Sequence, residues 1–369
     1  MNNDIPKSID AILYFLLIVI CYFCLIITTS FFHLNCMLLA IETSCDDTAA
    51  AVLDGRKVLS NCVANQNFIH KTYGGVVPEL ASRAHQSKIV PVISQALAEA
   101  NIDKKQLTAI AYTQGPGLLG SLLVGGSFAK SMALALDLPL IPVNHMHAHL
   151  LVHFIDGNLA PDFPFLGITI SGGHTQLILV KSYFNFELIG TTLDDAIGEA
   201  FDKCGKIMGL LYPAGQEIDM LAKNGDKHRF TFPIGNPKGY DVSYSGIKTA
   251  FMNFIKIEET KNPKFIEKNL NDLCASLQDS LIQTILNKIK IVSNDFGLNR
   301  IVIGGGVAAN SEICNELIKQ KTKNGWELFI PPMEYTTDNA AMIAIVGYLK
   351  YKTKNFGMLN AVSDAKYKM

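Results

Sequence analysis

Short apolar runs alternate with segments of helical periodicity from Leu38 onward, a pattern typical of an α/β protein. An apolar run ending at Glu42-Thr43-Ser44 predicts a buried first strand, and a turn at Asp54-Gly55 joins two further strands. The same strand–turn–strand plan recurs later in the chain. The strands of the two copies are predicted at residues 38–44, 49–53, 58–63, 165–171, 176–181 and 186–191. This repetition predicts a duplicated domain with a cleft between its halves.

Longer periodic segments predict the helices that cover these strands. One helix is predicted at residues 118–136, directly after a buried strand at 107–113. Two more are predicted at 242–255 and 270–296, and the charged stretch 256–268 between them is expected to be exposed. The fold class is therefore α/β, with two duplicated lobes.

The pattern divides the chain into three parts: an apolar extension at 1–36, a first lobe at 37–145, and a second lobe at 146–369 that holds the nucleotide and substrate site. Residues 11–32 carry no charge and are long enough to span a bilayer as a helix, although their flanks do not resemble a signal peptide. Because a core strand begins directly after Met37, we favour translation starting there. If the extension is expressed, it is a membrane anchor.

Composition and charge limit the partners and the compartment. Hydrophobic residues make up 49% and charged residues 18% of the 369 positions, which suits a folded protein with buried sheets. The formal net charge of −1 gives no overall attraction for nucleic acid, so an RNA partner needs a local basic patch or helper proteins. The eight cysteines form no disulfide framework or zinc-binding pattern, which predicts a reducing, cytoplasmic location.

A histidine-rich stretch at 144–149 is the strongest chemical signal. His145 and His149 are four residues apart, so a helix projects both imidazoles from one face. With Asp338 from a distant loop they make a three-ligand metal site with open positions, which is the catalytic pattern. The alternative is that the stretch is a solvated helix start and that Asp338 only caps the helix that follows it.

Three glycine-rich turns lie where predicted strands end, at 115–117, 171–173 and 304–306. Backbone amides at such turns point at phosphate oxygens, and glycine lets a ligand approach closely. Tight packing alone explains one such turn, but three on successive strand ends favour a nucleotide in the cleft. An acid at Asp202, in the neighbourhood of Gly215, is of the type that binds ribose hydroxyls.

Several motifs, in this order along the chain, resemble those of the bacterial tRNA N6-adenosine threonylcarbamoyltransferase family. The resemblance runs from Leu38 to about Tyr351. Its motifs are IETSCDDT at 41–48, YGGVVPELASR at 73–83, GPGL at 115–118, the His145/His149 pair, SGGHT at 171–175, GEAFDK at 198–203, GGGVAAN at 304–310 and TDN at 337–339. Residues 1–36 have no counterpart in the family, and the chain after Tyr351 lacks the family's usual Arg/Trp/Pro segment.

The resemblance implies an actin/Hsp70/sugar-kinase-like (ribonuclease H-like) fold and one divalent metal on His145, His149 and Asp338, with iron favoured over zinc. It implies transfer of a threonylcarbamoyl group from threonylcarbamoyl-AMP to the N6 amine of adenosine 37, in tRNAs that read codons beginning with A. The substrate-binding positions that it implies are Thr169, Ile170, Ser171, Gly172, Gly173, Asp202, Gly215, Asp219 and Asn310. No residue stands out as the general base.

Partners are implied as well: tRNA, a paralogous protein (TsaB) and an ATPase (TsaE), with a membrane only if residues 11–32 are expressed. A candidate partner stripe on the first lobe comprises Val90, Ile93 and Leu97, although such a stripe also packs on its own sheet. Two other classes of function compete with the transferase. A non-catalytic actin-like ATP-binding scaffold or chaperone has no use for the metal ligands. A zinc protease needs a glutamate after the first histidine, where this chain has Met146.

The start site yields a first prediction. A chain that begins at Met37 should be soluble and as active as the full chain, because the first core strand begins at Leu38. Transfer activity and sedimentation of both forms check this. Loss of activity on removing residues 1–36, or recovery of the native protein with membranes, would contradict the interpretation that translation starts at Met37.

Overall fold

Two five-stranded mixed sheets form the framework of the computed structural model, which describes residues 36–368. The predicted span at 11–32 lies outside the described residues, as does nearly all of the extension. In the first sheet the strand order is β3-β2-β1-β4-β5. Its strands are β1 (Met37–Glu42), β2 (Thr48–Asp54), β3 (Lys57–Ala64), β4 (Ala109–Gly115) and β5 (Leu140–Asn144).

The second sheet repeats the plan of the first, with strand order β10-β9-β6-β7-β8. In each sheet three strands form an antiparallel unit, and two further strands are added in parallel beside its first strand, β1 or β6. The strands are β6 (Phe165–Ile170), β7 (Thr175–Ser182), β8 (Asn185–Thr191), β9 (Arg300–Gly304) and β10 (Glu327–Phe329). The duplication predicted from the two strand–turn–strand units is confirmed.

Helices cover the two sheets and connect the parallel strands. Those that precede residue 165 are α1 (Asn67–Lys71), α2 (Pro78–Glu99), α3 (Leu119–Leu136) and α4 (His145–Leu151). Those that follow β8 are α5 (Ile197–Ile207), α6 (Gly215–Ala222), α7 (Ser245–Lys261), α8 (Phe265–Phe296), α9 (Ser311–Asn324) and α10 (Ala340–Lys352). The predicted helix at 242–255 thus begins three residues later. The exposed stretch 256–268 is mostly helical, with the break at 262–264.

The continuous apolar run in β1 is buried on both faces of its sheet, as expected for a central strand beside a parallel neighbour. Leu39 and Ile41 point to the face covered by α2 and α3. Leu38 points to the opposite face, where α10 packs. The predicted division between 37–145 and 146–369 remains a prediction, but α10 lies on the first sheet although it follows the second along the chain.

Helix α3 is the one helix of the described residues long and apolar enough to cross a bilayer by length and composition. It packs on β4 and α2, and Leu122, Ala129 and Ala133 are buried. These contacts show that α3 covers the first sheet, as the sequence predicted for the helix at 118–136.

The candidate partner stripe on α2 is divided by the structure. Ile93 is buried and Leu97 is partly buried, and both pack into the core of the first lobe. Val90 is 55% exposed. Two of the three residues therefore serve packing on their own sheet.

Close packing of α10 on the first sheet gives a stability prediction. A Cβ atom at Gly347 would lie 2.7 Å from the Cβ atom of Ala111 and 3.0 Å from a methyl carbon of Leu38. Gly347→Val should therefore lower the free energy of unfolding by about 1–3 kcal/mol through overpacking. Urea unfolding measures the change. Lys352→Ala, at an exposed position of the same helix, should stay within about 0.5 kcal/mol of the parent, and equal stability of the two variants would contradict the close packing.

Candidate metal and substrate site

Helix α4 brings the two predicted histidine ligands together. Asn144 begins the helix as its N-cap, with Oδ1 accepting from the backbone N–H groups of Met146 (2.9 Å) and His147 (3.3 Å). His145 and His149 then project from one face, with ring centroids 4.6 Å apart in an edge-to-face arrangement. Both side chains are buried. The predicted helical spacing is confirmed.

Asp338, in the loop before α10, completes a cluster of three donor atoms. His145 Nε2 and His149 Nε2 are 3.1 Å apart, and they lie 3.4 and 3.2 Å from Asp338 Oδ1. Atoms bound about 2.1 Å from a common ion in tetrahedral or octahedral geometry are about 3.0–3.5 Å apart. Two imidazole nitrogens and one carboxylate oxygen thus fit a divalent transition metal in both chemistry and spacing.

Helix α10 is capped by the residue after Asp338. Asn339 accepts from the N–H of Met342 (3.0 Å), so the carboxylate of Asp338 is free to face the histidines. The alternative in which Asp338 itself serves as the N-cap is therefore wrong.

A buried carboxylate, Glu42, supports the cluster from behind. His145 Nδ1 donates to Glu42 Oε2 at 3.0 Å and lies 3.2 Å from Ser44 Oγ. Glu42 also accepts from Thr113 Oγ1 at 2.5 Å and from the N–H of Ser44. With Nδ1 engaged in this way, the neutral His145 ring presents the lone pair of Nε2 to the cluster.

The carboxylates near the cluster change the pKa values of its histidines. Burial opposes a charge on His145, but Asp338 and Glu42 outweigh it and raise its pKa to about 10. Burial also acts against the ionised form of Asp338, yet the two histidines lower the pKa of Asp338. Burial lowers the pKa of His149, and Asp338 only partly offsets this. Without a metal the site therefore holds one protonated imidazole, so metal binding competes with a proton.

The other two histidines near the site do not join the cluster. The His147 ring stacks on Phe186 with centroids 3.8 Å apart, away from the paired histidines. Burial lowers the pKa of His174 to about 4, with smaller contributions from His145 and His149. The Ser171–His174 turn follows Ile170, which lies against Gly305, and the neighbouring Gly304 lies against the backbone of His149.

A further acid, Asp47, lies in the turn between β1 and β2. Burial, followed by the negative charges of Asp338, Asp46 and Glu42, raises the pKa of Asp47 to about 8. Its carboxyl group is therefore largely protonated at neutral pH in the metal-free site. A bound dication would favour ionisation of Asp47, because it reverses the sign of the local field.

The three glycine turns differ in the space around them. In the first, a side chain at Gly115 or Gly117 would collide with the backbone of Asp364 or Ser44. A side chain at Gly304 would collide with the backbone of His149, and one at Gly305 (φ +97°) would lie 2.9 Å from the carbonyl carbon of Ile170. Gly304 allows α4 to pack closely on the end of β9, and Gly305 allows the segment after β9 to pack closely on the end of β6. Space is open around Gly172 and Gly173, where an added Cβ meets no described atom within 4 Å. The second turn is thus the one with room for a ligand.

The first group of predicted substrate residues follows β6 into that turn. Thr169 and Ile170 are buried in the strand, and Thr169 pairs with Gly304 of β9. The hydroxyl of Ser171 accepts from the N–H of His174 at 3.0 Å and thereby fixes the turn. Gly172 packs against Gly198 at the start of α5.

The second group lies on α5, α6 and the start of α9. Asp202 Oδ1 accepts from the N–H of Ala214 (2.8 Å), next to Gly215, while burial raises the pKa of Asp202. Asp219 accepts from the side chain and backbone of Ser311 at 3.0 and 3.1 Å. Asn310 caps α9 and donates to Gln278 at 2.8 Å. These side chains thus already hold loops of the second lobe in place, and a ligand would use their remaining atoms.

Tyr212 connects this group with the first lobe. Burial, then the carboxylates of Asp46 and Asp202, raise the pKa of the Tyr212 hydroxyl. The residue therefore senses the negative charge of acids from both lobes.

Sequence reasoning missed the residues that support His145. Glu42 and Ser44 were noted only as the end of the first strand and within a family motif, and Thr113 only as the end of a strand. A signal existed, since a carboxylate directly after four buried residues requires a buried partner.

Comparisons with known proteins agree with this architecture. A model of the family "TsaD: tRNA N6-adenosine threonylcarbamoyltransferase" matches residues 57–345. A protein of that name from Christiangramia forsetii is 56% identical over 333 residues, covering 90% of this chain and 98% of the relative. One from Riemerella anatipestifer is 54% identical over 335 residues, covering 90% and 98%.

Among solved structures, a full-length HypF in its phosphate- and nucleotide-bound form is similar with a TM-score of 0.58 and 14% identity, over 88% of this chain and 47% of that one. This likeness concerns the fold alone, and it confirms the predicted two-lobed, actin-like architecture. The family match and the near-complete coverage of the relatives show that the chain belongs to the TsaD family of tRNA N6-adenosine threonylcarbamoyltransferases.

Proposed function

We propose that this enzyme transfers the threonylcarbamoyl group of threonylcarbamoyl-AMP to the N6 amine of adenosine 37, in tRNAs that read codons beginning with A. The products are N6-threonylcarbamoyladenosine, AMP and a proton. The family supports the reaction class. The observation that carries the proposal is the position of the open Ser171–Gly173 turn. It continues from Ile170, which lies against Gly305, and the adjoining Gly304 lies against the backbone of His149 in the His145–His149–Asp338 cluster.

His145, His149 and Asp338 would hold one divalent metal. Two histidines and one carboxylate with remaining open positions are the donor set of many non-haem Fe(II) sites, which favours iron over zinc. When bound, the metal supplies a Lewis acid for the carbamoyl carbonyl. Glu42 sets the His145 tautomer, and the buried surroundings keep both rings in place.

The nucleotide end of the donor would bind to the second lobe. Backbone N–H groups of Gly172 and Gly173 would receive the phosphate in the open turn, and the amino-terminal end of α5 packs against that turn. Asp202 and Asp219, with the neighbouring Gly215 and Asn310, would face the ribose and base through atoms that their internal hydrogen bonds leave free.

The acceptor amine reacts poorly because its lone pair is conjugated with the adenine ring. It attacks the carbamoyl carbon, the bond from that carbon to the phosphate oxygen breaks, and AMP leaves with the electron pair. Donors already oriented toward the departing phosphate favour this step. The chain contributes orientation of both reactants in the cleft between the two lobes, and the proposed location of the reaction is the cytoplasm.

The metal site gives the main test of this function. His145→Ala and Asp338→Ala should each lower threonylcarbamoyl transfer by more than about 100-fold and reduce bound metal, because each removes one of three ligands. Metal content is measured by elemental analysis, and transfer by mass spectrometry of tRNA nucleosides. Chelation of the parent enzyme should reproduce the loss, and readdition of Fe(II) should reverse it.

The matched control for the metal-site variants is His228→Ala, which removes an exposed histidine of the second lobe. It should retain activity and metal. Circular dichroism shows whether each variant is folded. Full transfer by a metal-free double variant of His145 and Asp338 would exclude the proposed role.

Partner proteins are the second part of the proposal: a paralogous protein (TsaB), an ATPase (TsaE) and the tRNA itself. Binding tRNA normally recruits several lysine or arginine contacts. The near-neutral chain, with a formal net charge of −1, supplies no general attraction.

We therefore expect the purified chain alone, given threonylcarbamoyl-AMP and unmodified tRNA, to show little or no turnover until both partner proteins are added. Modified nucleoside is counted per enzyme molecule before and after their addition. Sustained multiple turnover by the chain alone would refute the dependence.

A further inference from the structure

The carboxyl-terminal segment, residues 361–368, runs along the end of β4 and the loop that follows it. The N–H of Asp364 donates to the carbonyl of Gln114 (2.9 Å), and the N–H of Gly117 donates to the carbonyl of Ala365 (3.3 Å). The side-chain amide of Gln114 adds a bond to the carbonyl of Val362 (2.9 Å). Backbone bonds in both directions hold the segment to this loop as an extra strand would.

Packing fits the segment closely onto the first lobe. A side chain at Gly115, the last residue of β4, would collide with the carbonyl of Asp364, so only glycine fits beside the segment at this position. Ser363 is buried and donates to the carbonyl of Leu122 in α3 at 3.4 Å. Lys130 of the same helix donates to the carbonyl of Ala361. The segment is therefore anchored along its length.

Its far end reaches the helix that carries the metal ligands. Asn144 Nδ2 donates to the carbonyl of Lys368 at 3.2 Å, while Oδ1 of the same side chain caps α4. One amide thus connects the end of the chain with the first turn of the helix that holds His145 and His149.

A second connection runs through the loop after β4. The N–H of Leu118 donates to the carbonyl of Ser44 at 2.7 Å, and Gly117 packs against that residue. The hydroxyl of Ser44 lies 3.2 Å from Nδ1 of His145. The segment is therefore linked to the backbone start of α4 through Asn144, and to the ring of its first histidine through the loop after β4 and Ser44.

We propose that residues 361–368 form a positioning latch that orders α4 and the His145 ring for metal binding. The inference rests on the proposed metal role of that helix. With only seven residues, α4 is too short to be stable by itself and depends on its cap and its tertiary contacts. Releasing the latch removes one bond to the capping residue and frees the loop that supports Ser44.

Hydrogen exchange of the α4 amides in the metal-free protein tests the latch directly. In a chain ending at Asn360 these amides should exchange about tenfold faster, while the helices of the second lobe keep their exchange rates. Zn²⁺ alone, titrated against a chromophoric chelator, should bind this chain about tenfold more weakly than the full chain.

Asn144 supplies the variants that separate latch from cap. Asn144→Asp keeps an oxygen for the cap but removes the donor to Lys368, and the neutral Asn144→Ser checks that the added charge is not the cause. Both should accelerate exchange in the full chain. In the chain ending at Asn360, Asn144→Asp should add less than about twofold, because the bond that it removes is already absent. Lys366→Ala changes an exposed tail residue whose side chain has no described partner, and should change nothing.

Unchanged exchange and unchanged Zn²⁺ affinity in the shortened chain would overturn the latch. So would fully independent effects of the truncation and Asn144→Asp. If the shortened chain does not fold, the Asn144 variants in the full chain decide: normal exchange of α4 in both rejects the proposal. Faster exchange in the variants, combined with no threonylcarbamoyl transfer by the full-length parent in the presence of both partner proteins, would leave the latch standing and remove the proposed function.

Discussion

The buried contact between Glu42 and His145 is the constraint on which the site depends. A carboxylate removed from water is costly unless it is paired, and Glu42 meets this need with His145, Thr113 and the backbone of Ser44. These groups come from β1, β4, the turn after β1 and α4. A single carboxylate thereby fixes the separation of two strands and the orientation of a ring. Any change that displaces α4 leaves Glu42 without its charged partner.

Close packing at the end of β9, beside α4, requires glycines at two positions. The backbone of His149 lies against Gly304, so α4 contacts the end of β9 without an intervening side chain, and Gly305 lies equally close to the carbonyl of Ile170 at the end of β6. Asp338 then reaches the cluster because α10 returns to the first sheet. The donor atoms therefore depend on contacts between segments far apart in sequence.

This dependence sets the limit of what the sequence could predict. Local periodicity was sufficient for the central strands and for the shared face of His145 and His149, because both follow from spacing along one element. It did not show that α10 packs on the first sheet, since a helix buried nearly all round gives no sign of which sheet covers it. The contact of Glu42 with His145 and those of residues 361–368 join positions 100 or more residues apart and were likewise inaccessible. The roles of Asp202, Asp219 and Asn310 remain predictions drawn from a resemblance.

The duplication itself gives a physical reason for the division of labour between the lobes. The turn between β1 and β2 and the turn between β6 and β7 occupy equivalent places in the two sheets. Ser44 of the first turn lies 3.2 Å from His145 Nδ1, and the second turn follows Ile170, which lies against Gly305 beside Gly304 and His149. In the first turn, burial and then the negative charges of Asp338, Asp46 and Glu42 raise the pKa of Asp47. A phosphate placed there would add further negative charge. The second turn offers two glycines with open space and faces the amino-terminal end of α5. The second turn is therefore the more favourable of the two for an anionic group, which is the physical basis for proposing that the nucleotide binds there.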